Sequence, residues 1–252
     1  MYIDTHFHLM KEDYEDIDLV IKKANDNKVS KLIISGCDKD GIIEGLEYIT
    51  KYNNVYMTIG FHPEYCEKVT DEDLVWLEKT IKENKKIVGL GEIGLDYYYT
   101  KDNKIRQIEL FKQQLDLAKK INMPIVIHSR DAFMDTYETL KEYNLKGVIH
   151  CFTSNIENAR KYISLGFYLG IGGVLTFKNS NLKDVIEKVD LAHVVLETDS
   201  PYLSPEPFRG KTNGPENIPL IAEKIAQIKE VSVEHVGSIT TNNALALFDL
   251  TM

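Results

Sequence analysis

IVGLGEIGLDYYYTKDNKIRQIELFKQQLDLAKKINMPIVIHS, residues 87–129, carries the pattern on which the fold turns. It opens with a short run rich in β-branched residues and glycine, IVGLGE, and closes with a second such run, PIVIHS. Between them, from Ile105 to Ile121, the apolar side chains of Ile108, Phe111, Leu115 and Ala118 recur at three- and four-residue steps with charges between. That spacing lines one face of an amphipathic helix. Strand, helix and strand in this order predict a βαβ unit and a parallel sheet.

The same alternation extends in both directions. YIDT, KLIISG and VYMTIG precede this stretch, and GVIHCF, FYLGIGG and HVVLETD follow it, giving eight strand-like runs along the chain. Such a series closes into a barrel or spreads into an open doubly wound sheet. An open sheet binds its ligand at one crevice beside a switch point, whereas a barrel gathers residues from the ends of many strands. No G-x-G-x-x-G directly follows the first run to open a helix, and no Walker A sequence occurs, so a nucleotide-cradling loop after the first strand has no support. The length, 252 residues, matches the roughly 250 typical of one barrel. No linker-like tract, internal repeat or low-complexity segment breaks it. The expected fold is therefore α/β, a single-domain (β/α)8 TIM barrel over residues 1–252, with its site at the C-terminal ends of the strands.

Apolar residues make up 43% of the chain and charged residues 27%, the balance of an ordinary globular protein. The opening MYIDTHFHLMKEDYED lacks a basic then apolar leader, and no stretch approaches roughly 18 uninterrupted apolar residues. A cytoplasmic protein with no membrane partner is expected, and nothing implies an obligate protein partner. Cys37, Cys66 and Cys151 are three and far apart, which gives neither a disulfide framework nor a cysteine zinc site; they read as small apolar fillers. A formal net charge of −9 argues against coating duplex nucleic acid, which draws on many Lys and Arg contacts. It leaves a phosphate-bearing substrate open, because bound divalent cations would reverse the local field.

The runs end in metal-ligating residue types. His6 and His8 stand two apart at the end of the first run, on one face of a strand. Glu92 follows IVGLG, His128 follows PIVI, His150 follows GVI, and Asp199 follows HVVLET. In a closed barrel these ends converge on one mouth. Four imidazoles and two carboxylates exceed the three protein ligands of one catalytic zinc, which points to two divalent metals sharing a carboxylate, with Glu92 the bridging candidate. Imidazole suits zinc, iron or manganese, whereas magnesium prefers oxygen ligands, so the expectation is two divalent metals, Mg, Mn or Zn, of open identity.

DTHFHL, GEIGLDYY, QLDLAKKINMPIVIHSRDA, GVIHCFTS, GIGG, LETDSPYLSPEPFRGKTN and TTNNALALF together resemble the TatD family of metal-dependent deoxyribonucleases, among the amidohydrolase-like barrels. The resemblance runs from the first strand to the last helix. It implies that His6, His8, Glu92 and Asp199 hold one metal and that Glu92, His128 and His150 hold the other. It also implies that Asp199 takes the proton of the attacking water, a role open to a carboxylate at a metal's edge, and that magnesium supports activity. Phe208 and Gly214 depart from the residues common at those family positions, which bears on substrate preference and touches no ligand.

Around this set, His62 in GFHP orients a ligand, meets a substrate phosphate, or is simply a hydrogen-bonded histidine behind the ligands. Arg130 in HSRD and Arg209 with Lys211 in FRGK follow run ends, and guanidinium forks suit phosphate oxygens. Glu197 reads as a buried hydrogen-bond partner and Asp96 as an acceptor that fixes a metal-bound histidine. His193 and His235 are expected to be solvated. Tyr97, Tyr98, Tyr99 and Tyr202 offer faces for a base, a weak signal in a chain with 14 tyrosines. The leading expectation is 3′–5′ exonuclease action on single-stranded DNA, extending to RNA. A small-molecule amidohydrolase or esterase is the alternative, and a non-catalytic scaffold would have lost ligands that are all present here.

Overall fold

Each of the eight runs forms a strand in the computed structural model, which describes residues 1–98 and 102–251. In chain order the elements are β1 (Tyr2–Phe7), α1 (Ile17–Asp26), β2 (Val29–Gly36), α2 (Lys39–Lys51), β3 (Val55–Ile59), α3 (Asp71–Glu83), β4 (Ile87–Asp96) and α4 (Lys104–Ile121). The series continues with β5 (Ile125–Arg130), α5 (Phe133–Lys141), β6 (Gly147–Ile149), α6 (Ile156–Ser164), β7 (Tyr168–Ile171), α7 (Leu182–Lys188), β8 (Val194–Leu196), α8 (Ile218–Lys229) and α9 (Val233–Leu247). Consecutive strands are neighbours and every pairing is parallel. Beyond the sheet's own ladder, the chain leaving β8 meets β1: the Asp199 N–H donates to the His6 carbonyl at 3.0 Å, and the His8 N–H to the Ser200 carbonyl at 2.7 Å. The sheet thereby curls into a (β/α)8 barrel with its helices outside.

Helix starts follow local capping chemistry. Asp16, Asp38, Thr70, Asn155 and Ser232 each accept a first-turn N–H, at α1, α2, α3, α6 and α9 respectively. α4 covers the span that the periodicity predicts, starting one residue earlier, and buries Phe111, Leu115 and Ala118 against the sheet. Its buried face also carries Gln107 and Gln114, which apolar periodicity does not foresee. Gln107 accepts from the Asp96 N–H and donates to the Asp96 carbonyl, both at 2.8 Å. Gln114 does the same for Phe61, at 2.8 and 3.0 Å. Each amide stands in for a missing β-ladder partner where a strand, or the chain just past one, runs beyond its neighbour.

Inside the barrel, Ile3, Ile33, Val88, Val126, Val148 and Val195 form one apolar layer, packed against Ala244, Leu247 and Phe248 of the chain's last helix and the residue after it. Because side chains alternate along a strand, the residue two positions further on returns to the same face. Val126 is followed in this way by His128, Val148 by His150, Val195 by Glu197, and Ile33 by Ser35. The apolar layer thus fixes which side chains point into the mouth above it.

Candidate metal centre

His6, His8, Glu92, His128, His150 and Asp199 do converge. Their ligand-type atoms fall into overlapping groups whose members lie within 4.8 Å of one another: His6, His8 and Glu92; His6, His150 and Asp199; Glu92, His128 and His150. Glu92 is central. Its Oε2 lies 3.4 Å from His6 Nε2 and 4.0 Å from His8 Nε2, while its Oε1 lies 2.7 Å from both His128 Nδ1 and His150 Nε2. Asp199 Oδ1 stands 3.7 Å from His6 Nε2 and 3.5 Å from His8 Nε2.

Two strand-end placements need correction. Glu92 sits within β4, which continues to Asp96 because EIGLD goes on pairing with β5, Gly94 opposite His128 and Asp96 opposite Arg130. The Gly91–Glu92 peptide is cis, and the pairing register shifts between Leu90 and Ile93. Asp199 lies beyond β8, which ends at Leu196, and adopts φ +53. Its orientation comes from the backbone bond to β1 described above, not from the strand.

The surrounding groups hold the ligands. His128 presents Nδ1 to Glu92, and its Nε2 lies 2.9 Å from Asp96 Oδ2, so the ring is fixed at both ends. Asp96 is in turn held through its backbone by Gln107. Glu197, fully buried, accepts from the Cys151 N–H at 2.5 Å and comes within 3.6 Å of His150 Nδ1. A Cβ at Gly170 would come within 2.1 Å of the Glu197 carboxylate, so a larger residue there would displace Glu197 from its place beside His150. Asp4, buried beneath the mouth, accepts from the Thr198 hydroxyl at 2.6 Å, the Thr198 N–H at 3.0 Å and the His6 N–H at 3.3 Å, tying two ligand segments together.

The electrostatics favour ligation. Burial acts most strongly against ionised Glu92, yet His150, His128 and His6 together hold its carboxyl well below the usual range. Burial lowers His6, whose nitrogens stay available as lone-pair donors. For His8 and His150 burial opposes the charge, but Cys37 and Asp199 around the first, and Glu92 and Glu197 around the second, draw both well above an ordinary histidine. A proton and a cation therefore compete for these nitrogens. Among the described residues, His6 Nδ1 and Nε2, His150 Nδ1 and Glu197 Oε2 are buried side-chain atoms without a hydrogen-bond partner. Unpartnered buried nitrogens facing carboxylate oxygens are costly unless something positive joins them, and this donor set fits a divalent metal.

The cleft over these groups has a volume of about 670 Å³. His62 lines it, its Nε2 3.7 Å from Glu92 Oε1 and its Nδ1 accepting from the Glu64 N–H at 3.3 Å. Arg130 lines it too, with its guanidinium 3.7 Å from the Tyr98 ring centre. Arg209 and Lys211 are not among the lining residues. Instead, Arg209 lies 3.6 Å over the Phe177 ring, Lys211 lies 5.6 Å from that of Phe208, and the Lys211 carbonyl accepts from the Ser204 hydroxyl. Tyr202 reaches the cleft, 5.9 Å from the His8 ring. Tyr99 lies outside the described residues. His235 is exposed as expected, whereas His193 is only half so.

Among the lining residues that sequence reasoning passed over are two thiols and a carboxylate. Cys37 Sγ lies 3.5 Å from Glu92 Oε2 and 3.9 Å from His8 Nδ1, and Cys151 lines the same cleft, so two of the three cysteines are not mere fillers. Glu64 enters from the short turn Pro63–Tyr65. Cys37 was within reach of inference, since it continues the inward alternation of Ile33 and Ser35.

A family model for TatD related DNase matches residues 3–249. The chain belongs to the TatD family. It is 42% identical over 253 residues to the uncharacterized metal-dependent hydrolase YabD of Bacillus subtilis, covering 98% of this chain and 99% of that one. It is 37% identical over 257 residues to the uncharacterized metal-dependent hydrolase YcfH of Escherichia coli, covering 98% and 96%. The crystal structure of YjjV, a TatD homologue from E. coli, superposes with a TM-score of 0.92 at 29% identity, covering 99% and 98%. This TatD chain is accordingly a metal-dependent hydrolase, with histidine and carboxylate clusters able to hold divalent metal at the barrel mouth. Among the described residues no helix is long and apolar enough to cross a membrane.

Proposed function

We propose that the chain is a cytoplasmic 3′–5′ exonuclease that hydrolyses phosphodiester bonds in single-stranded DNA, and in RNA by the same chemistry. The observation that carries this reading is the division of Glu92: Oε2 faces His6 and His8 at 3.4 and 4.0 Å, and Oε1 faces His128 and His150 at 2.7 Å each. A carboxylate so divided suits two divalent cations, with His6, His8 and Asp199 beside one and His128 and His150 beside the other. The family's description as a DNase supports a phosphodiester substrate.

His6, His8, Glu92, Asp199, His128 and His150 would hold divalent cations, which would supply Lewis acidity for activating water and offsetting phosphoryl charge. Asp199 accepts the proton of the attacking water as its oxygen bonds to phosphorus. The scissile P–O bond breaks with its electron pair on the leaving oxygen, which takes a proton from solvent water while Asp199 returns its own to solvent. Arg130 and His62 line the cleft and bind the phosphate; Arg209 and Lys211, outside its lining, reach only more distant parts of a strand. A walled cleft of about 670 Å³ accepts a strand end. A duplex interior would first have to be unstacked, at a few kcal/mol per nucleotide.

The test uses 5′-labelled single-stranded and duplex oligonucleotides with Mg, Mn or Zn. A single-nucleotide ladder appearing first on the single strand is expected, and Asp199→Asn slows it by roughly 100- to 10,000-fold. Faster cutting of closed circular DNA, or immediate release of the labelled 5′ nucleotide, overturns the exonuclease reading. Turnover of amides with none of phosphodiesters moves the chain to the small-molecule amidohydrolases.

A further inference from the structure

The side of the metal cleft formed after β7 and β8 differs in character from the rest. Val174, Tyr202 and Leu203 line it, and among the described residues it gives the cleft no Lys or Arg. In a closed ring of eight strands in chain order, β8 lies opposite β4. This wall therefore faces His62, just past β3, and Arg130, at the end of β5, which bind the phosphate. Asp13, Asp199 and Glu12 surround Tyr202 with negative charge, which repels a phosphate. An uncharged, flat group suits it instead.

Tyr202 is held in place through its backbone. Its N–H donates to the Asp199 carbonyl at 3.0 Å, and its own carbonyl accepts from Asn213 Nδ2 at 2.7 Å. Asn213 is buried and donates also to the Thr198 carbonyl, at 3.0 Å. Leu203 follows at φ +54, and its carbonyl approaches Gly173 so closely that a Cβ there would meet it at 2.2 Å. The turn carrying Val174 is thus seated on the loop carrying Tyr202. The Tyr202 ring meets that of His8 at 64°, with 5.9 Å between centres, yet the residue is 57% exposed. Neither the metal ligands nor the phosphate-binding groups use its open part. A ring already fixed in position loses little freedom when another ring stacks on it.

Given the phosphodiesterase reading above, on which this rests, we infer that Tyr202, with Leu203 and Val174 beside it, seats the base of the nucleotide that is released. The polarity follows from Asp199. The attacking water stands on the Asp199 side, and in an in-line displacement the leaving oxygen departs on the opposite side. Because Tyr202 is tied to Asp199, the nucleoside beside it is the one that stays on the phosphate. In 3′–5′ digestion that is the terminal nucleoside. Stacking serves every base, so the seat favours a strand end that carries a base without reading which base it is.

The experiment pairs two single strands that differ only in the 3′-terminal residue, one a natural nucleotide and the other an abasic tetrahydrofuran. With metal present, kcat/KM for release of that residue is measured in wild type, Tyr202→Ala and Tyr202→Phe. Wild type prefers the base-bearing end by roughly 5- to 150-fold, the range for one base stack, chiefly through KM. Tyr202→Ala brings the two ends level, and Tyr202→Phe, which keeps the ring, restores the preference. A loop that had merely lost its shape would slow both ends alike and leave the preference standing. 2-Aminopurine at the 3′ end reports the stack apart from turnover: its fluorescence is quenched on binding to Asp199→Asn, and the double variant with Tyr202→Ala relieves the quenching. A preference that survives Tyr202→Ala, or no preference in wild type, overturns the seat. If wild type cleaves neither strand, the phosphodiesterase reading fails instead.

Discussion

Glu92 and His128 touch through one short contact but differ in what their loss removes. Glu92 offers one oxygen to His6 and His8 and the other to His128 and His150, so Glu92→Gln weakens both halves of the centre together. His128 faces only Glu92 and His150 with Nδ1 and is tied back to Asp96 through Nε2. His128→Ala therefore depletes one metal and leaves most of the other. Metal-to-protein ratios after dialysis check this, and equal losses in the two variants contradict a shared and an unshared ligand. All six clustered side chains were legible as residue types following apolar runs. Their orientation was less so. Asp199 is aimed by φ +53 and a backbone bond to His6, a contact between positions far apart in sequence that no local pattern records. Cys37 and Cys151 were misread because a thiol in a strand run looks like any small apolar residue.

At the scale of elements, α4 shows why a helix does more than cover a sheet. The 105–121 periodicity located it within one residue, since Phe111, Leu115 and Ala118 answer only to burial. Gln107 was invisible to the same reasoning, because a buried glutamine reads as polar and hence as exposed. Its amide satisfies both the N–H and the carbonyl of Asp96, at 2.8 Å each, and Asp96 holds His128 at 2.9 Å. Gln107→Ala strands two buried backbone groups and costs about 1–3 kcal/mol for each left unsatisfied. Urea unfolding measures that loss. The freed Asp96 also loosens His128, so metal affinity falls roughly 10- to 100-fold, as when outer hydrogen bonds to a ligand are removed. A variant equally destabilised but unchanged in metal affinity separates the helix from the centre. β4 was legible in part: IVGLG reads as a strand, whereas the continuation to Asp96 depends on pairing with β5 and on that glutamine.

For the whole molecule, the centre is a joint between distant parts of the chain. Its donors come from β1, β4, β5, the end of β6 and the segment after β8, and unfolding scatters them. A cation bound by the folded chain alone stabilises it by mass action, by about 2.7 kcal/mol at one hundred times Kd. For a chain of this size each kcal/mol moves Tm by roughly 2–4 °C, so metal should raise Tm by roughly 5–10 °C over the chelated protein. The sign of the pH dependence follows from the site. His8 and His150 are drawn above the ordinary histidine range, so protons displace the cation as pH falls, and the gap between metal-loaded and chelated protein narrows. Glu92→Gln should narrow it at every pH. The check is a thermal melt with EDTA, then after readdition of Mn or Zn, from neutral to mildly acidic pH. A melting point indifferent to a metal that dialysis shows to be bound would mean that the unfolded chain binds it equally well, and the centre would not then be the joint that draws the barrel's two ends together.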